Sequence, residues 1–408
     1  MPSFLTSHIP SRGRAGVCYF FFQAAIGCIG PLLYLAYRRH GLSAAEIGFA
    51  IAVAHCVQLL AGPLWGSASD VLARRSGPSL VVAACLGAGS SILLLRQVLQ
   101  QERLIPILLL VAVWSLFAGA ILPLLDSATL GLLGKNQRGY GRVRVWGCVG
   151  FAMAALLVGR LGGQRDIDVL FSLYAALLVI CAAVALTLPR ASAGAGFPFR
   201  AALQLMRGPR MSLFLAGALL LGISDMAWYG TLSLYLDDLG ASVRLTALVL
   251  AVSSLSEIPL VATASWWLGR LGPARTTAVA FAGFASLWLG FSFITRPAMA
   301  LVLILLRGFS NGLYQVSGVI YVAEAAPPGY AGLAQGAFRG INSGLGPIIG
   351  SAVGGALFES RGGAFLYRLC ALLAIAAVIC TLSPCVGEKQ PAQAVPEAIK
   401  QAGTHSPR

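Results

Sequence analysis

Tyr140-Gly-Arg-Val-Arg-Val-Trp-Gly-Cys-Val-Gly-Phe151 opens a long apolar segment, and the apolar segment before it ends at Asp126. Only a short basic turn separates the two segments. A carboxylate or guanidinium inside membrane hydrocarbon is costly unless it has a partner or faces a water-lined cavity. The stretch therefore predicts two neighbouring membrane helices, with Asp126 near the end of the first and with Arg142 and Arg144 near the start of the second.

The composition of the whole chain supports this interpretation. The 408 residues are 58% hydrophobic and only 11% charged, and the mean hydropathy is +0.81. Such values are typical of integral membrane proteins and exclude an ordinary soluble domain. A hydrocarbon core about 30 Å thick needs roughly 20 apolar residues per helix, so the chain has room for about a dozen spans.

Net charge and cysteine content exclude several other classes. A formal charge of +15 would suggest a nucleic-acid partner in a soluble protein, but here the basic residues lie mostly in the breaks between apolar runs, as membrane topology requires. The nine cysteines form no CxxC pair and no Cys/His spacing suited to zinc. We expect a monomer with no metal, cofactor or nucleic-acid partner, whose partners are a small solute, protons and the lipid bilayer.

One long polar break divides the apolar runs into two sets of six. We predict an all-α membrane protein with twelve transmembrane helices in two pseudo-symmetric six-helix bundles. The predicted divisions are residues 1–188 for the first bundle, 189–210 for a cytoplasmic linker, 211–384 for the second bundle and 385–408 for a disordered tail. The basic residues favour cytoplasmic termini, and a bacterial inner membrane is the expected location.

Several features recur at an offset of about 200 residues, as expected for a transporter built from two related bundles with its site between them. The stretch Gly66–Arg75 corresponds to Trp267–Arg275. The pair Asp126 and Arg144 corresponds to Glu324 and Arg339, and His55 corresponds to Glu257.

Gly66, Asp70, Arg74 and Arg75 follow the second apolar run and fit the pattern G-x-x-x-D followed by two basic residues. This pattern resembles the loop between spans two and three of the major facilitator superfamily. The resemblance implies the major facilitator fold and a gating role for these four residues. A plain positive loop on the cytoplasmic side is the alternative interpretation.

The Tyr140–Phe151 stretch is similar to the start of span five in the lactose permease and phenylpropionate permease branch of that superfamily. The resemblance implies substrate binding by Arg144 and Asp126. The alternative is a salt bridge that only gates, a role also expected for Arg142 and for the later pair Glu324 and Arg339.

The chain departs from the sugar permeases in span ten. Where those proteins carry a histidine and then a glutamate, Leu306–Tyr314 has Arg307 and Ser310. Arginine does not release its proton in a protein, so Arg307 cannot carry one. The candidates for proton coupling are therefore Asp225, Glu257 and His55, with neutralised partners of Arg307 as the alternative for the two acids and packing for the histidine.

The aromatic residues Trp146, Trp228, Tyr229 and Tyr314 complete the predicted substrate site around Arg307. Aromatic faces with a guanidinium suit a planar anionic molecule. We therefore expect a secondary transporter that moves an aromatic or amphipathic organic acid, or a siderophore-like molecule, by alternating access with proton symport. A proton-driven exporter of the same fold is the alternative, and a transport-like receptor is a remote one. Motifs of nucleophilic, zinc or phosphate-loop enzymes are absent, so no enzyme is expected.

Overall fold

The computed structural model describes residues 11–30, 32–101, 103–133, 140–161, 168–188, 208–326 and 331–383. These residues form α-helices joined by short turns, with one 3-10 turn and one π-helical segment. Most of the predicted linker, residues 189–207, and the predicted tail, residues 385–408, lie outside the described residues. The division into 1–188, 189–210, 211–384 and 385–408 therefore stays a prediction.

The first bundle consists of six helices. They are α1 (Ser11–Ile29), α2 (Leu32–Arg39), α3 (Ala44–Leu99), α4 (Leu104–Leu133), α5 (Tyr140–Leu161) and α6 (Val169–Ala185). Helices α1 and α2 together make the first pass, and α3 is long enough for two passes. Helix α5 begins at Tyr140, where the sequence predicted a new membrane segment.

The second bundle repeats this arrangement. It consists of α7 (Pro209–Asp238), α8 (Val243–Phe291), a 3-10 turn (Pro297–Met299), α9 (Ala300–Ala325), α10 (Ala331–Gly340), a π-helical segment (Ile341–Leu345), α11 (Gly346–Arg361) and α12 (Gly363–Leu382). Gly272, with φ 73°, divides α8 into two arms.

Within the described residues, ten segments are long and apolar enough to cross a membrane. The shorter apolar helix α6 and the second arm of α8, residues 273–291, bring the passes to the twelve that the sequence predicted. The structure thus agrees with the predicted fold class, an all-α membrane protein of two pseudo-symmetric six-helix bundles.

Two equivalent turns show the internal repeat at the level of single residues. Gly41 and Gly240 both have positive φ, 85° and 81°, which a glycine adopts without steric cost. In each turn the next residue donates its amide to a carbonyl five residues earlier, over 3.2 and 2.8 Å. The helices that follow are capped by the hydroxyls of Ser43 and Ser242. Both turns are therefore formed by the same elements: a glycine with positive φ, a backbone hydrogen bond and a serine cap.

Glycines bring the same helix pair together in each bundle. A Cβ on Gly150 of α5 would stand only 2.2 Å from the carbonyl oxygen of Phe20 on α1. A Cβ on Gly350 of α11 would stand 2.2 Å from that of Ile223 on α7. Small residues permit such close helix contact inside a membrane, so α1–α5 and α7–α11 are equivalent pairs.

The two bundles meet closely at the end of the molecule that carries Gly41 and Gly240, which we call the Gly41 end. A Cβ on Gly48 of α3 would lie 2.9 Å from the Cα of Gly355 on α11. Nearby, the amide of Ala45 donates to Glu359 over 2.7 Å. The Arg38–Asp238 ion pair, 2.7 Å long, joins α2 to α7. These contacts close the Gly41 end between the bundles.

The predicted gate motif lies within a helix, not in a loop as the resemblance implied. The backbone of Gly66, Asp70, Arg74 and Arg75 is helical within α3, which continues to Leu99. The segment that connects the two passes of α3 is therefore helical, and its backbone groups form their hydrogen bonds within the helix. The side chains of these four residues lie outside the described part, and their gating role stays a prediction.

Candidate functional site

Helix α9 carries a polar stripe that organises the centre of the second bundle. Arg307, Asn311 and Tyr314 are spaced four and three residues apart, which places them on one helical face. Each side chain contacts a different helix. A stripe of this kind in a membrane helix faces the bundle interior or a cavity rather than lipid.

Arg307 forms the charged member of the stripe. Its Nη2 atom donates to both carboxylate oxygens of Asp225 on α7, each at 3.2 Å. The two side chains keep 16% and 33% of their surface exposed, so the pair is partly open. Asp225 thereby offsets the positive charge of Arg307, as the alternative interpretation of this acid anticipated.

Two predicted aromatic residues flank this ion pair. The Arg307 guanidinium lies over the rings of Trp228 and Tyr229, 5.3 and 5.4 Å from their centroids. Trp228 is fully buried and also packs edge-on against Phe291, so it has no free surface for a solute in this conformation. Tyr229 is partly exposed, and its hydroxyl lies beside Gly30, where α1 ends in the opposite bundle.

Glu257 is held by the second member of the stripe. Asn311 Nδ2 donates to Glu257 Oε2 over 2.9 Å, from α9 to α8. One turn earlier on α9, Gly308 contacts Ser256 so closely that a Cβ there would stand 2.0 Å from the serine hydroxyl. The close approach of the two helices at Gly308 therefore brings the amide and the carboxylate within hydrogen-bond distance.

Tyr314, the third member, is buried and donates to Asn342 Oδ1 over 2.8 Å. Asn342 lies in the π-helical segment, where the amide of Gly346 bonds to the carbonyl of Ile341. A π-helical turn shifts the register of a helix and is frequent at functional sites. Gly222 of α7 leaves room for it, since a Cβ there would stand 2.9 Å from the Asn342 carbonyl oxygen.

Helices α5 and α8 cross between the bundles and bring Arg144 towards Glu257. Gly159 lies against Ala247, and the Ser254 hydroxyl donates to the Cys148 carbonyl over 3.3 Å. These contacts define an antiparallel register in which Arg144, one turn before Cys148, faces the turn that carries Glu257. Consistent with this, the Cys148 side chain interacts electrostatically with both charged residues.

The first bundle contributes a different set of polar groups. The Tyr19 hydroxyl of α1 donates to Asp126 Oδ1 of α4 over 2.5 Å. His55 on α3 is largely buried, and its Nδ1 atom has no hydrogen-bond partner among the described residues. Asp126 thus lies, partly buried, at a contact between α1 and α4. Its role in substrate binding stays a prediction.

The remaining predicted residues lie at the edges of this arrangement. Trp146 is half-exposed, and its ring lies against Gly16 of α1. Glu324 and Arg339 are exposed near the ends of α9 and α10, and among the described contacts no ion pair joins them. Arg142 lies in the first turn of α5 with its side chain outside the described part. Their predicted roles are untested.

Sequence reasoning missed the partners of the predicted residues. Asn311 and Asn342 are the two amides that bind Glu257 and Tyr314, and Tyr19 is the donor to Asp126. Only Asn311 had a usable signal, because it follows Arg307 by four residues on a helix. The other contacts join residues 28 and 107 positions apart, and no spacing rule predicts those.

The fold and the charged residues between the two bundles define a secondary transporter of the major facilitator type, a multi-pass membrane protein that moves small molecules. The chain belongs to the MFS_1 like family, whose sequence profile matches residues 14–369. This confirms the superfamily that the Gly66–Arg75 and Tyr140–Phe151 patterns indicated.

Known proteins place the chain among bacterial transporters. The maltose permease of Geobacillus stearothermophilus is 30% identical over 352 residues, which cover 84% of this chain and 86% of that protein. The uncharacterized transporter YwbF of Bacillus subtilis (strain 168) is 26% identical over 377 residues, 91% and 92% of the two chains. A crystal structure of a variant of the nucleoside transporter NupG covers 92% of this chain with a TM-score of 0.81 at 18% identity, which shows a shared fold.

Proposed function

We propose that this protein is a proton-coupled importer of a neutral polyhydroxylated solute, of the saccharide or nucleoside class, in a bacterial inner membrane. The observation that carries the proposal is the position of Glu257. This carboxylate lies at the crossing of α5 and α8, where one bundle meets the other, and faces the turn of Arg144. A titratable acid in this position responds to any movement of one bundle against the other.

Glu257 is the better candidate for proton coupling than Asp225. Both oxygens of Asp225 accept from Arg307, so its charge is already balanced inside its own bundle. Glu257 receives one neutral amide donor from its own bundle, while its charged neighbour Arg144 belongs to the other bundle. Proton binding to Glu257 therefore changes the attraction between the bundles, which is what coupling to alternating access requires.

The paired state of Arg307 favours a neutral solute. The sequence-based expectation of an aromatic organic acid or a siderophore-like molecule assumed an available guanidinium beside aromatic rings. Because Asp225 offsets the charge of Arg307, the side chains beside Tyr229 provide hydrogen-bond donors, acceptors and an aromatic face without a large net charge. These groups suit sugar hydroxyls or a nucleobase, and the resemblance to a maltose permease supports the same class.

We assign the Gly41 end to the outer side of the membrane, with both termini cytoplasmic. The basic residues at the breaks support this orientation. The close contacts of Gly48 with Gly355 then represent an outward-closed state. Solute would enter after these contacts separate and would leave from the opposite end, with residues 1–188 and 211–384 moving as the two bundles.

The test is uptake by vesicles reconstituted with the purified protein. A pH gradient, inside alkaline, should drive accumulation of radiolabelled maltose or uridine, and a protonophore should abolish it. Glu257→Gln should lose accumulation but retain exchange of internal for external solute, because exchange needs no net proton movement. Arg144→Ala should lose binding in both assays. Accumulation that persists in Glu257→Gln would refute the coupling role, and accumulation of aromatic acids alone would refute the solute class.

A further inference from the structure

We propose that Asn311 is a positioning residue for proton coupling: its side-chain amide fixes Glu257 Oε2 and leaves Oε1 as the oxygen that exchanges the proton. This inference rests on the proposed function of Glu257. It adds a residue that the sequence patterns did not indicate. The evidence is the geometry of α8 and α9 around the Asn311–Glu257 hydrogen bond, 2.9 Å long.

The helix contacts around Asn311 restrict where its amide can lie. Gly308 meets Ser256 on the first arm of α8, and Gly283 on the second arm lies so close to Ser310 that a Cβ would stand 2.3 Å from its hydroxyl. Helix α9 is thus held tightly between the two arms. The Asn311 amide has little freedom to move away from Glu257, so it fixes the carboxylate rather than following it.

An asparagine is suited to this task because it donates two N–H groups and does not titrate. Asn311 therefore holds the Glu257 carboxylate through a hydrogen bond without competing for the proton. Among the described residues only Oε2 of Glu257 accepts a hydrogen bond. Oε1 is therefore the atom left for a proton or for a solute hydroxyl.

The charges that act on Glu257 come from both bundles. Across the crossing, α5 presents Arg144 and the Cys148 thiol. On α9, Arg307 lies one turn from Asn311, and Asp225 of α7 offsets it. Arg144 is therefore the charge whose distance from Glu257 changes when the bundles move, whereas the Asn311 contact stays constant. A fixed amide and a moving guanidinium together let bundle movement load and release the proton.

Four variants test the proposal. Asn311→Leu removes the amide with little change in volume. Thr277→Val is the matched control, because it removes another hydrogen bond between α8 and α9, that of Thr277 to Ser317, away from the site. Glu257→Gln marks the uncoupled state. The double variant Asn311→Asp with Glu257→Gln keeps an amide–carboxyl hydrogen bond but moves the acid to α9, away from the crossing with α5.

Transport in reconstituted vesicles provides the first readout, with maltose and uridine as probes. In Asn311→Leu, accumulation driven by the pH gradient should fall about tenfold relative to exchange, because the Glu257 carboxylate is no longer held in the position that proton exchange requires. Thr277→Val should keep the parental ratio of accumulation to exchange. The double variant should stay uncoupled. A parental ratio in Asn311→Leu, or coupled transport by the double variant, would overturn the proposal.

Infrared spectroscopy provides a readout that needs no solute. The carboxyl band that is absent in Glu257→Gln reports protonation of Glu257 in the purified protein. The pH dependence of this band should differ from the parent in Asn311→Leu and match the parent in Thr277→Val, because only the first variant removes the hydrogen bond to Glu257. An unchanged titration would refute the role of Asn311 even if transport were lost. If the parent moves neither probe while the band of Asn311→Leu still differs from that of the parent, the proposed solute is refuted and the role of Asn311 stands.

Discussion

The two bundles share a backbone plan and differ in their polar interior. The turns at Gly41 and Gly240 have similar positive φ, and Gly150 and Gly350 approach a carbonyl of the paired helix equally closely. The second bundle carries a stripe of polar residues on α9, each paired with another helix. The first bundle instead carries the Tyr19 contact with Asp126 and a histidine, His55, whose Nδ1 atom has no hydrogen-bond partner within the described part of the chain.

This difference suggests a division of labour: small residues and turns maintain the fold in both bundles, and in our proposal the polar pairs carry function. The repeated glycines set how closely helices approach in either bundle. Among the described residues the polar contacts differ between the bundles, and we propose that they reflect what each bundle does. In our proposal the second bundle binds the proton, and the first supplies Arg144, the charge that moves relative to it.

The largest loss of stability should come from breaking the Arg307–Asp225 ion pair of the second bundle. Arg307→Ala leaves the Asp225 carboxylate without its cation, at an expected cost of about 3 kcal/mol in the free energy of unfolding. The expected cost is at the lower end of the range for broken buried ion pairs, because the Asp225 side chain is 33% exposed. Unfolding in detergent micelles measures the cost. The double variant Arg307→Met with Asp225→Leu should regain most of the stability, and failure to regain it would mean that the charge itself was not the cause.

The shared backbone plan can be tested by equal changes in both bundles. Gly150→Ala and Gly350→Ala each place a methyl group 2.2 Å from a carbonyl oxygen of the paired helix. Overpacking of this kind costs roughly 1–3 kcal/mol, and we expect similar losses in unfolding free energy from the two variants. Gly269→Ala is the control, because nothing lies within 4 Å of its Cβ position. A loss confined to one bundle would show that the repeat is not equivalent in packing.

A smaller contrast is expected for the tyrosines. Tyr19→Phe removes a donor to a carboxylate and Tyr314→Phe removes a donor to an amide oxygen. Hydrogen bonds to charged groups contribute about 2 kcal/mol and neutral ones about 1 kcal/mol. The loss of unfolding free energy should therefore be larger for Tyr19→Phe. The reverse order would show that Asp126 does not depend on this donor.

The smallest effect on stability should come from the pair that joins the bundles at the Gly41 end. Arg38 and Asp238 are 37% and 43% exposed, so Arg38→Met should cost well under about 1 kcal/mol, less still in high salt. The same change should shift the equilibrium towards opening of that end, measured as the distance between spin labels on the two turns. An unchanged distance distribution would limit the role of the pair to local structure.

The fold could be predicted from the sequence because membrane helices and short motifs are recognisable from consecutive residues, and because the two halves repeat. Apolar runs, the Gly66–Arg75 and Tyr140–Phe151 patterns and the offset of about 200 residues predicted twelve helices in two bundles, and α5 begins at the predicted Tyr140. The partners of the charged residues were harder to predict. An ion pair with Arg307 was the alternative interpretation of Asp225, and the structure shows this ion pair.

What the sequence did not predict depends on helix rotation and on close contacts. Asn311 reaches Glu257 because Gly308 brings α9 against Ser256, and nothing in the order of residues identifies that contact. The π-helical segment at Ile341–Leu345 arises where Gly222 leaves space for an extra residue in the turn. Trp228 illustrates the same limit, since its depth was predicted but its complete burial against Phe291 was not.

The central claim is that Arg144 and Glu257 face a water-accessible passage between the bundles, and Cys148 tests it directly. This native thiol is partly exposed beside both residues. In a variant with serine at Cys56, Cys380 and Cys385, we expect a membrane-impermeant thiol reagent to label Cys148 from the side opposite the Gly41 end, more slowly when solute is bound. Absence of labelling in the folded protein, with full labelling after unfolding, would contradict the account.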